Sequence, residues 1–182
     1  MRPSTEFDPP PSPWIERYAA LIRAGGRVLD LAAGGGRHTR LLLARGYSVV
    51  AVDRDITALR SAVAGDPACR TVALDLEDGE AWRLSVGYDG IVVTNYLYRP
   101  VFADLVAALA PAGVLLYETF MLGNERFGKP SNPDFLLRPN ELIETFAPHL
   151  TVLAFEQGIV SRPRPAAIQR LAAIKGGIIA VD

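Results

Sequence analysis

Glycines and aspartates stand close together in one segment of this chain, in an order that suits the binding of a small charged ligand. The segment covers residues 28–39 and reads VLDLAAGGGRHT. Gly34, Gly35 and Gly36 allow backbone angles that are closed to other residues, and they let a ligand approach the main chain closely. The start of the helix expected behind them offers free N–H groups to a carboxylate or a phosphate. The segment therefore predicts a ligand-binding turn between a strand and a helix.

Two further aspartates follow at the ends of the next two strands. Asp53 ends the second strand, where an acid can accept hydrogen bonds from both hydroxyls of a ribose. Asp75 ends the third strand, where a loop could meet an adenine ring. Any one of these acids could simply cap a turn. Because Asp30, Asp53 and Asp75 all lie at strand ends, however, the pattern favours the crevice in which open α/β sheets bind ligands.

The elements that would position these residues are visible as short apolar runs alternating with helical segments. Strands are expected at residues 27–32, 48–53, 70–75, 88–95 and 113–120, and helices at residues 14–23, 38–46, 55–63 and 100–110. Continuous valine, leucine and isoleucine runs separated by helices indicate a parallel sheet that is covered on both faces. We therefore predict a doubly wound α/β fold.

The last third of the chain does not follow this alternation of strands and helices. Residues 121–140 are rich in glycine, proline and asparagine, and a stretch of this length inside a domain predicts a lid loop. A helix is expected behind it at residues 141–148. Strands at residues 151–160 and 169–175 are joined by too few residues for a crossover helix, so we expect an antiparallel hairpin at the sheet edge.

Composition restricts the class of protein. The 182 residues fit a single domain over residues 1–182, whose proline-rich residues 1–13 are expected to form a flexible arm. Nineteen basic and 20 acidic side chains give a net charge of −1, so the broad positive surface of a nucleic-acid binder is missing. Cys69 is the only cysteine, and no metal site is expected. No apolar run could cross a bilayer and no signal-like segment begins the chain, so we expect a cytoplasmic protein.

The residues from Asp30 to Gly36 resemble motif I of the class I S-adenosylmethionine-dependent methyltransferases, usually written (D/E)xGxGxG. Ala32 stands where the first glycine is commonest. Residues 88–97, the turn at residues 111–113 and the terminal hairpin also resemble this class, so that the similarity covers roughly residues 27–177. Within the class, the chain looks like the small tellurite-resistance-type and thiopurine-type methyltransferases. The resemblance implies a seven-stranded Rossmann-like sheet and S-adenosyl-L-methionine as the cofactor.

The resemblance also implies which residues bind the cofactor. They are Asp30, Ala32, Gly34, Gly36, Asp53, Arg54, Asp75, Leu76 and Asn95. A dinucleotide-binding turn fits less well, because its G-x-G-x-x-G pattern would need a glycine at Thr39. Asp30, just ahead of the turn, also suits an amino-acid ammonium better than a pyrophosphate.

Methyl transfer from a sulfonium needs an acceptor held in line with the methyl group more than it needs a nucleophilic side chain. Asn95, Tyr96 and Tyr98 follow the fourth strand and are expected nearest to the transferred methyl, where the tyrosine rings could face the sulfonium. Substrate contacts are expected from Arg99, Arg126, Phe127 and Lys129. Phe135 could help to close the lid over an anionic or aromatic molecule, and Arg162 and Arg164 could extend a basic rim.

These residues predict a methyltransferase that acts on a small molecule, with nucleic acid unlikely as a partner and no membrane association. The sequence Asn95-Tyr96-Leu97-Tyr98 differs from the Asn/Asp-Pro-Pro-Tyr/Phe signature of methyltransferases that act on DNA bases or protein glutamine. His38 is expected on a helix surface rather than as a general base. Two alternatives stay open, namely a methyltransferase acting on RNA or protein, and a non-catalytic S-adenosylmethionine-binding module.

Overall fold

The computed structural model describes residues 9–177, which form one sheet flanked by helices. Its strands are β1 (Arg27–Leu31), β2 (Ser48–Asp53), β3 (Cys69–Ala73), β4 (Tyr88–Thr94), β5 (Leu109–Phe120), β6 (Thr151–Val160) and β7 (Ala166–Ile174). Its α-helices are α1 (Pro13–Tyr18), α2 (Arg37–Ala44), α3 (Thr57–Val63), α4 (Phe102–Ala108) and α5 (Glu141–Phe146). Within residues 9–177, no helix is both long enough and apolar enough to pass through a lipid bilayer.

The strands lie in the order β3-β2-β1-β4-β5-β7-β6. Strands β1 to β5 are parallel to one another, whereas β7 runs antiparallel to both β5 and β6. The predicted parallel sheet and its edge hairpin are thus confirmed. Because β1 lies between β2 and β4, the winding of the chain reverses there, and a crevice opens beyond the carboxyl ends of these strands.

Both faces of the sheet are buried, and side chains alternate between them along each strand. On one face Val28, Val92 and Leu116 pack with Leu42 of α2 and Leu59 of α3. On the other face, the strand residues Leu29, Val93 and Tyr117 pack with Leu105 of α4 and Phe146 of α5. Coverage on both sides explains why the central strands read as continuous apolar runs in the sequence.

Ser12, near the end of the predicted arm, is held against the domain. The Ser12 hydroxyl caps α1 by accepting a hydrogen bond from Trp14 N at 3.1 Å, and Ser12 is only 5 % exposed. The cap and the burial tie Ser12 to the domain and Pro13 begins α1, whereas the flexible arm over residues 1–13 otherwise stays a prediction; residues 1–8 lie outside the described residues. The predicted helix over residues 14–23 is also shorter, since α1 passes into a 3-10 turn at Ala19–Leu21.

The connection from β3 to β4 crosses a face of the sheet without a helix anywhere in residues 74–87. Leu76, Trp82 and Leu84 instead pack their side chains onto the core from this irregular segment. Strand β3 ends at Ala73, so Asp75 lies two residues beyond the strand rather than at its end as predicted. The segment is nevertheless anchored where it leaves the sheet, because Leu74 N donates to Asp53 O at 3.0 Å.

Two residues of the predicted lid segment, Met121 and Leu137, meet just beyond the end of β5. Met121 and Leu137 form an isolated parallel bridge, and Leu122 N donates to Leu137 O at 2.9 Å. Leu136 and Leu137 are buried, whereas Phe135 is 49 % exposed. Met121 and Leu137 are therefore held together, and most residues between them are exposed, although Asn124 is buried and accepts a hydrogen bond from Ala167 N at 3.2 Å.

Candidate functional site

A cavity of about 440 Å³ opens in the crevice at the carboxyl ends of the parallel strands. Its lining consists of Ala32, Asp53, Arg54, Leu74, Asp75, Leu76, Glu77, Asn95, Tyr96 and Phe135. Six of the residues predicted to bind the cofactor meet here; they are Ala32, Asp53, Arg54, Asp75, Leu76 and Asn95. The volume falls in the range of small-molecule sites, so this cavity is the candidate active site.

The glycine turn is tied to the second strand by Asp53. One carboxylate oxygen of Asp53 accepts a hydrogen bond from Gly34 N at 2.8 Å, and the other accepts one from Asp55 N at 3.1 Å. A Cβ placed on Gly34 or Gly35 would meet no atom within 4 Å, so this stretch of backbone is open to a ligand. Gly36 serves packing instead, because its φ is +84° and a Cβ there would lie 2.9 Å from Leu59.

Two residues other than glycine take left-handed backbone angles at the mouth of the cavity. Ala32 follows β1 with φ of 55°, and Asn95 follows β4 with φ of 54°. Asparagine tolerates this region, whereas alanine is strained in it. Ala32 thus adopts the conformation for which glycine is preferred, which explains why the departure from the glycine pattern is compatible with the turn. Such strain occurs preferentially at functional sites.

Asp30 lies behind the turn and does not itself line the cavity. It is 1 % exposed, and one carboxylate oxygen accepts a hydrogen bond from the Thr39 hydroxyl at 2.6 Å. The other oxygen, Oδ1, is buried and has no hydrogen-bond partner among the described residues. Burial raises the pKa of Asp30 to about 6, although the hydrogen bond from Thr39 and the charge of Arg37 act in the opposite direction.

His38 is buried between α2 and its neighbours rather than exposed on a helix surface, so the prediction for this residue is wrong. Its side chain faces the sheet beside Thr39 and Leu42 and is 2 % exposed. Nε2 accepts a hydrogen bond from Ser12 N at 3.0 Å, and Nδ1 lies 3.1 Å from the Thr94 hydroxyl. Because Nε2 is an acceptor, the proton is assigned to Nδ1. Burial, aided by Arg37, lowers the pKa of His38 to about 3.

The two tyrosines predicted near the transferred methyl are divided between neighbouring cavities. Tyr96 lines the candidate active site, and its buried hydroxyl lacks a hydrogen-bond partner in the described residues. Burial and the nearby Glu77 carboxylate raise the pKa of Tyr96, although the two groups are not in hydrogen-bonding geometry. Tyr98 instead lines an adjoining cavity of about 240 Å³ with Asp75 and Trp82.

Arg99 is engaged within the protein rather than facing the cavity. Its Nε donates to Glu141 Oε1 at 2.5 Å and its Nη2 donates to Glu141 Oε2 at 3.0 Å. The same guanidinium donates to the carbonyls of Asp134 at 2.9 Å and Leu136 at 3.0 Å. Burial alone would raise the pKa of Glu141, but hydrogen bonds from Arg99 and Arg138 hold it below its usual value.

The other three residues predicted to contact the substrate also lie outside the cavity lining. The Arg126 guanidinium stacks over the Phe127 ring at 5.6 Å and donates to Gly123 O at 3.3 Å. The Arg164 guanidinium donates a hydrogen bond to the Lys129 carbonyl oxygen at 3.4 Å. The structure therefore brings Lys129 and Arg164 together but separates them from the predicted cofactor residues.

Glu77 and Leu74 line the cavity although the sequence reasoning missed them. Glu77 follows the Asp75-Leu76 pair directly, and its N–H donates to Asp75 Oδ1 at 2.9 Å in a tight turn. That closeness to the predicted adenine-contacting pair was a signal that could have identified Glu77. No group of three side chains suited to bind a metal ion occurs within residues 9–177.

The sequence matches no protein-family model and no curated protein, but the fold resembles several solved structures. TehB from Haemophilus influenzae superimposes with a TM-score of 0.73 at 21 % identity, covering 88 % of this chain and 61 % of TehB. This chain therefore spans about three fifths of the length of TehB. A TehB-like S-adenosylmethionine-dependent methyltransferase from Corynebacterium glutamicum gives a TM-score of 0.65 at 19 % identity, covering 90 % and 88 % of the two chains.

A third neighbour was solved with ligands bound. It is the 1,6-didemethyltoxoflavin-N1-methyltransferase of Burkholderia thailandensis, with bound 1,6-didemethyltoxoflavin and S-adenosylhomocysteine. Its TM-score is 0.64 at 21 % identity, and the match covers 91 % of this chain and 79 % of that methyltransferase. The fold of this chain is the Rossmann-like fold of the class I methyltransferases, with seven strands and one antiparallel hairpin. The predicted fold class is confirmed, and its neighbours include the TehB-like proteins.

Proposed function

We propose that this protein is an S-adenosylmethionine-dependent methyltransferase that acts on a small molecule. The observation that carries the proposal is the position of Asp53, whose carboxylate lines the cavity and also binds the open glycine turn at Gly34. A carboxylate beside bare backbone suits a ligand that joins a ribose diol to an amino-acid end, as this cofactor does.

The residues present fit this cofactor. Asp53 makes two hydrogen bonds within the protein but has lone pairs left for the ribose hydroxyls. The open backbone at Gly34 and Gly35 leaves space for the methionine part. Asp30 is buried behind the turn, and its negative charge would attract the ammonium group from there. Asp75 and Leu76 would hold the adenine.

The chemistry depends on positioning. When bound, the cofactor supplies a methyl group on a positively charged sulfur. Asn95 and Tyr96 would orient the acceptor, and the Tyr117 hydroxyl fixes this part of the chain by donating to Tyr96 O at 2.9 Å. The Phe135 ring would help to exclude water from the outer side of the cavity. Orientation of this kind can lower a reaction barrier by about 7–11 kcal/mol, so no nucleophilic side chain is needed.

A small-molecule acceptor is favoured by the size of the cavity. A volume of about 440 Å³ must hold the acceptor together with the reacting end of the cofactor. The neighbour from Burkholderia thailandensis, which binds 1,6-didemethyltoxoflavin, gives this choice further support. An RNA acceptor would need a basic surface beside the cavity, whereas the Arg99 charge is balanced by Glu141. The predicted cytoplasmic location stays a prediction.

Calorimetric titration with S-adenosylhomocysteine tests the cofactor site. We expect Asp53→Ala to weaken binding by about 10- to 100-fold, because hydrogen bonds to a charged group are lost. Asp66→Ala is the matched control, since the Asp66 carboxylate also accepts a backbone hydrogen bond, from Ala68 N at 2.9 Å, but does not line the cavity. Equal binding by the wild type and both variants, or no binding by any of them, would contradict the proposal.

A further inference from the structure

The lining of the cavity is predominantly acidic. Its lining contains three acids and one base, and these are Asp53, Asp75, Glu77 and Arg54. The proposed cofactor contacts occupy Asp53 and Asp75. Glu77 is exposed, lines the cavity and is not among the proposed cofactor contacts, so its negative charge lies near any molecule that occupies the remaining space.

Three basic residues predicted to contact the substrate do not line the cavity, which leaves Arg54 as the one base in its lining. Arg99 binds both oxygens of Glu141, whose side chain is 4 % exposed, so the charge of this arginine is balanced inside the protein. Arg126 and Lys129 do not line the cavity. An anionic acceptor would therefore meet Glu77 without a free cation from this group to compensate it.

Two aromatic side chains also line the cavity. Tyr96 approaches from the end of β4, and Phe135 approaches from the segment that follows β5. Arg99 binds the carbonyls on either side of Phe135, namely those of Asp134 and Leu136. The backbone that carries the Phe135 ring is thereby held in place although the ring itself is 49 % exposed.

From these contacts we propose that the acceptor is a neutral or positively charged molecule with a flat apolar face, which binds against Tyr96 and Phe135 with Glu77 beside it. Arg99 is a positioning residue that fixes the Phe135 wall, not a substrate-binding residue. The inference rests on the proposed function and names the acceptor class for the same site. A lone pair of the acceptor atom forms the bond to the methyl carbon, the carbon–sulfur electrons return to sulfur, and a proton on that atom leaves to solvent.

Methyl labelling of separated metabolite pools tests the charge of the acceptor. A protein-free extract of cells that make this protein is divided by ion exchange at neutral pH into anionic, neutral and cationic pools before any reaction. Each pool is then incubated with the full chain and S-adenosylmethionine carrying a tritiated methyl group. We expect label to enter the neutral or the cationic pool. Labelling confined to the anionic pool would overturn the inference while leaving the methyltransferase proposal intact.

A complete lack of labelling has a different meaning. If the protein binds S-adenosylhomocysteine in the calorimeter but labels no pool, the methyltransferase proposal itself fails, and the acceptor class fails with it. If it does not bind S-adenosylhomocysteine either, the cofactor assignment fails too. These results are distinguishable from labelling of the anionic pool, which counts against the acceptor class alone.

Steady-state kinetics on the labelled pool test the aromatic wall. We expect Phe135→Ala to raise the apparent KM for the acceptor by about tenfold or more with little change in S-adenosylhomocysteine affinity, because only the acceptor loses a contact. Leu122→Ala is the matched control, since Leu122 is 40 % exposed on the same segment and does not line the cavity. Equal KM values for Phe135→Ala and the wild type would overturn this part of the inference.

The Arg99→Lys variant tests positioning against direct binding. Lysine keeps the positive charge but cannot reproduce the forked contact with Glu141 together with both carbonyls. We expect Arg99→Lys to raise the acceptor KM as Phe135→Ala does, and the double variant Arg99→Lys/Phe135→Ala to be no worse than Phe135→Ala alone. Additive losses in the double variant would show that Arg99 acts independently of the Phe135 wall, and would overturn its assigned role.

Discussion

Asp30 and His38 are both buried behind the glycine turn, but burial affects their ionisation in opposite ways. Desolvation disfavours the charged form of each group, so it raises the pKa of the acid to about 6 and lowers the pKa of the histidine to about 3. His38 stays neutral at neutral pH and links Ser12 to Thr94. Asp30 is charged at neutral pH, so the fold carries an ionised and incompletely paired carboxylate beside the proposed cofactor.

That charge gives a test of Asp30 through the pH dependence of stability. Because its pKa is higher in the folded state, the folded protein binds the proton more tightly, and stability is lost as pH rises from about 4 through about 6. Asp30→Asn removes this dependence. We expect the difference in free energy of unfolding to shift in favour of the variant by up to about 3 kcal/mol between about pH 4 and about pH 8.

Urea denaturation across this pH range measures the shift, and the comparison of variant with wild type cancels the opposite contribution of His38. A second readout concerns function: Asp30→Asn should bind S-adenosylhomocysteine more weakly, because the neutral amide no longer attracts the ammonium. A difference in stability that is constant with pH would show that Asp30 does not titrate as described.

Individual side chains were the hardest part of the site to predict from sequence. Asp53 at the end of β2 was recognisable, because its position follows from the apolar run that precedes it. The partner of Arg99 was not, since Glu141 lies 42 residues further along the chain. His38 was misplaced because only the packing of α2 against the sheet determines which of its polar side chains are buried.

At the scale of elements, the turn between β1 and α2 contains two neighbouring glycines that are needed for different reasons, namely ligand space at Gly35 and helix packing at Gly36. Gly35 has space for a Cβ, whereas Gly36 has neither the space nor a backbone angle that suits other residues. The first position therefore leaves room for a ligand, and the second lets α3 approach the start of α2. The two glycines separate binding from stability within a single turn.

Alanine substitutions at these two positions should give opposite results. We expect Gly35→Ala to leave the free energy of unfolding within about 0.5 kcal/mol of wild type but to weaken S-adenosylhomocysteine binding, because the methyl group enters the open space. Gly36→Ala should destabilise the protein by about 1–3 kcal/mol through strain and the contact with Leu59. Thermal melts and calorimetry measure both effects; a destabilised Gly35→Ala with unchanged binding would contradict this division.

The elements themselves were largely predictable because the signals for them are local. Apolar runs predicted the strands of the sheet, and the short connection before β7 predicted the antiparallel hairpin. The errors lie at element ends. Strand β3 ends before Asp75, and α1 gives way to a 3-10 turn, because hydrogen bonds from distant residues act there; one example is the Tyr47 hydroxyl, which donates to Ala19 O at 2.7 Å.

At the scale of the whole molecule, the first helix is joined to the last strand. Trp14 Nε1 donates to Leu171 O at 3.2 Å, and the Arg170 guanidinium lies 4.9 Å from the Trp14 ring centroid. Trp14 also packs against Tyr18 with ring centroids 4.4 Å apart. This contact closes the domain between its amino-terminal and carboxyl-terminal elements, so the domain should unfold as one unit.

Substitution of Trp14 tests this closure. We expect Trp14→Phe to lower the free energy of unfolding by about 1–2 kcal/mol, because one buried hydrogen bond and part of the ring are lost, and Trp14→Ala to lower it by about 3–5 kcal/mol. Chemical denaturation followed by far-ultraviolet circular dichroism should show a single transition in both. A second transition in either variant would mean that α1 unfolds separately from the sheet.

The bridge between Met121 and Leu137 has a consequence for how such a protein can change its chemistry. Since both ends of the intervening stretch are fastened to the sheet at one point, residues can be exchanged, added or removed between them without altering the strands that hold Asp53 and the glycine turn. Under the proposed function, a new acceptor preference can therefore arise in that stretch alone, while the residues that would bind S-adenosylmethionine stay unchanged.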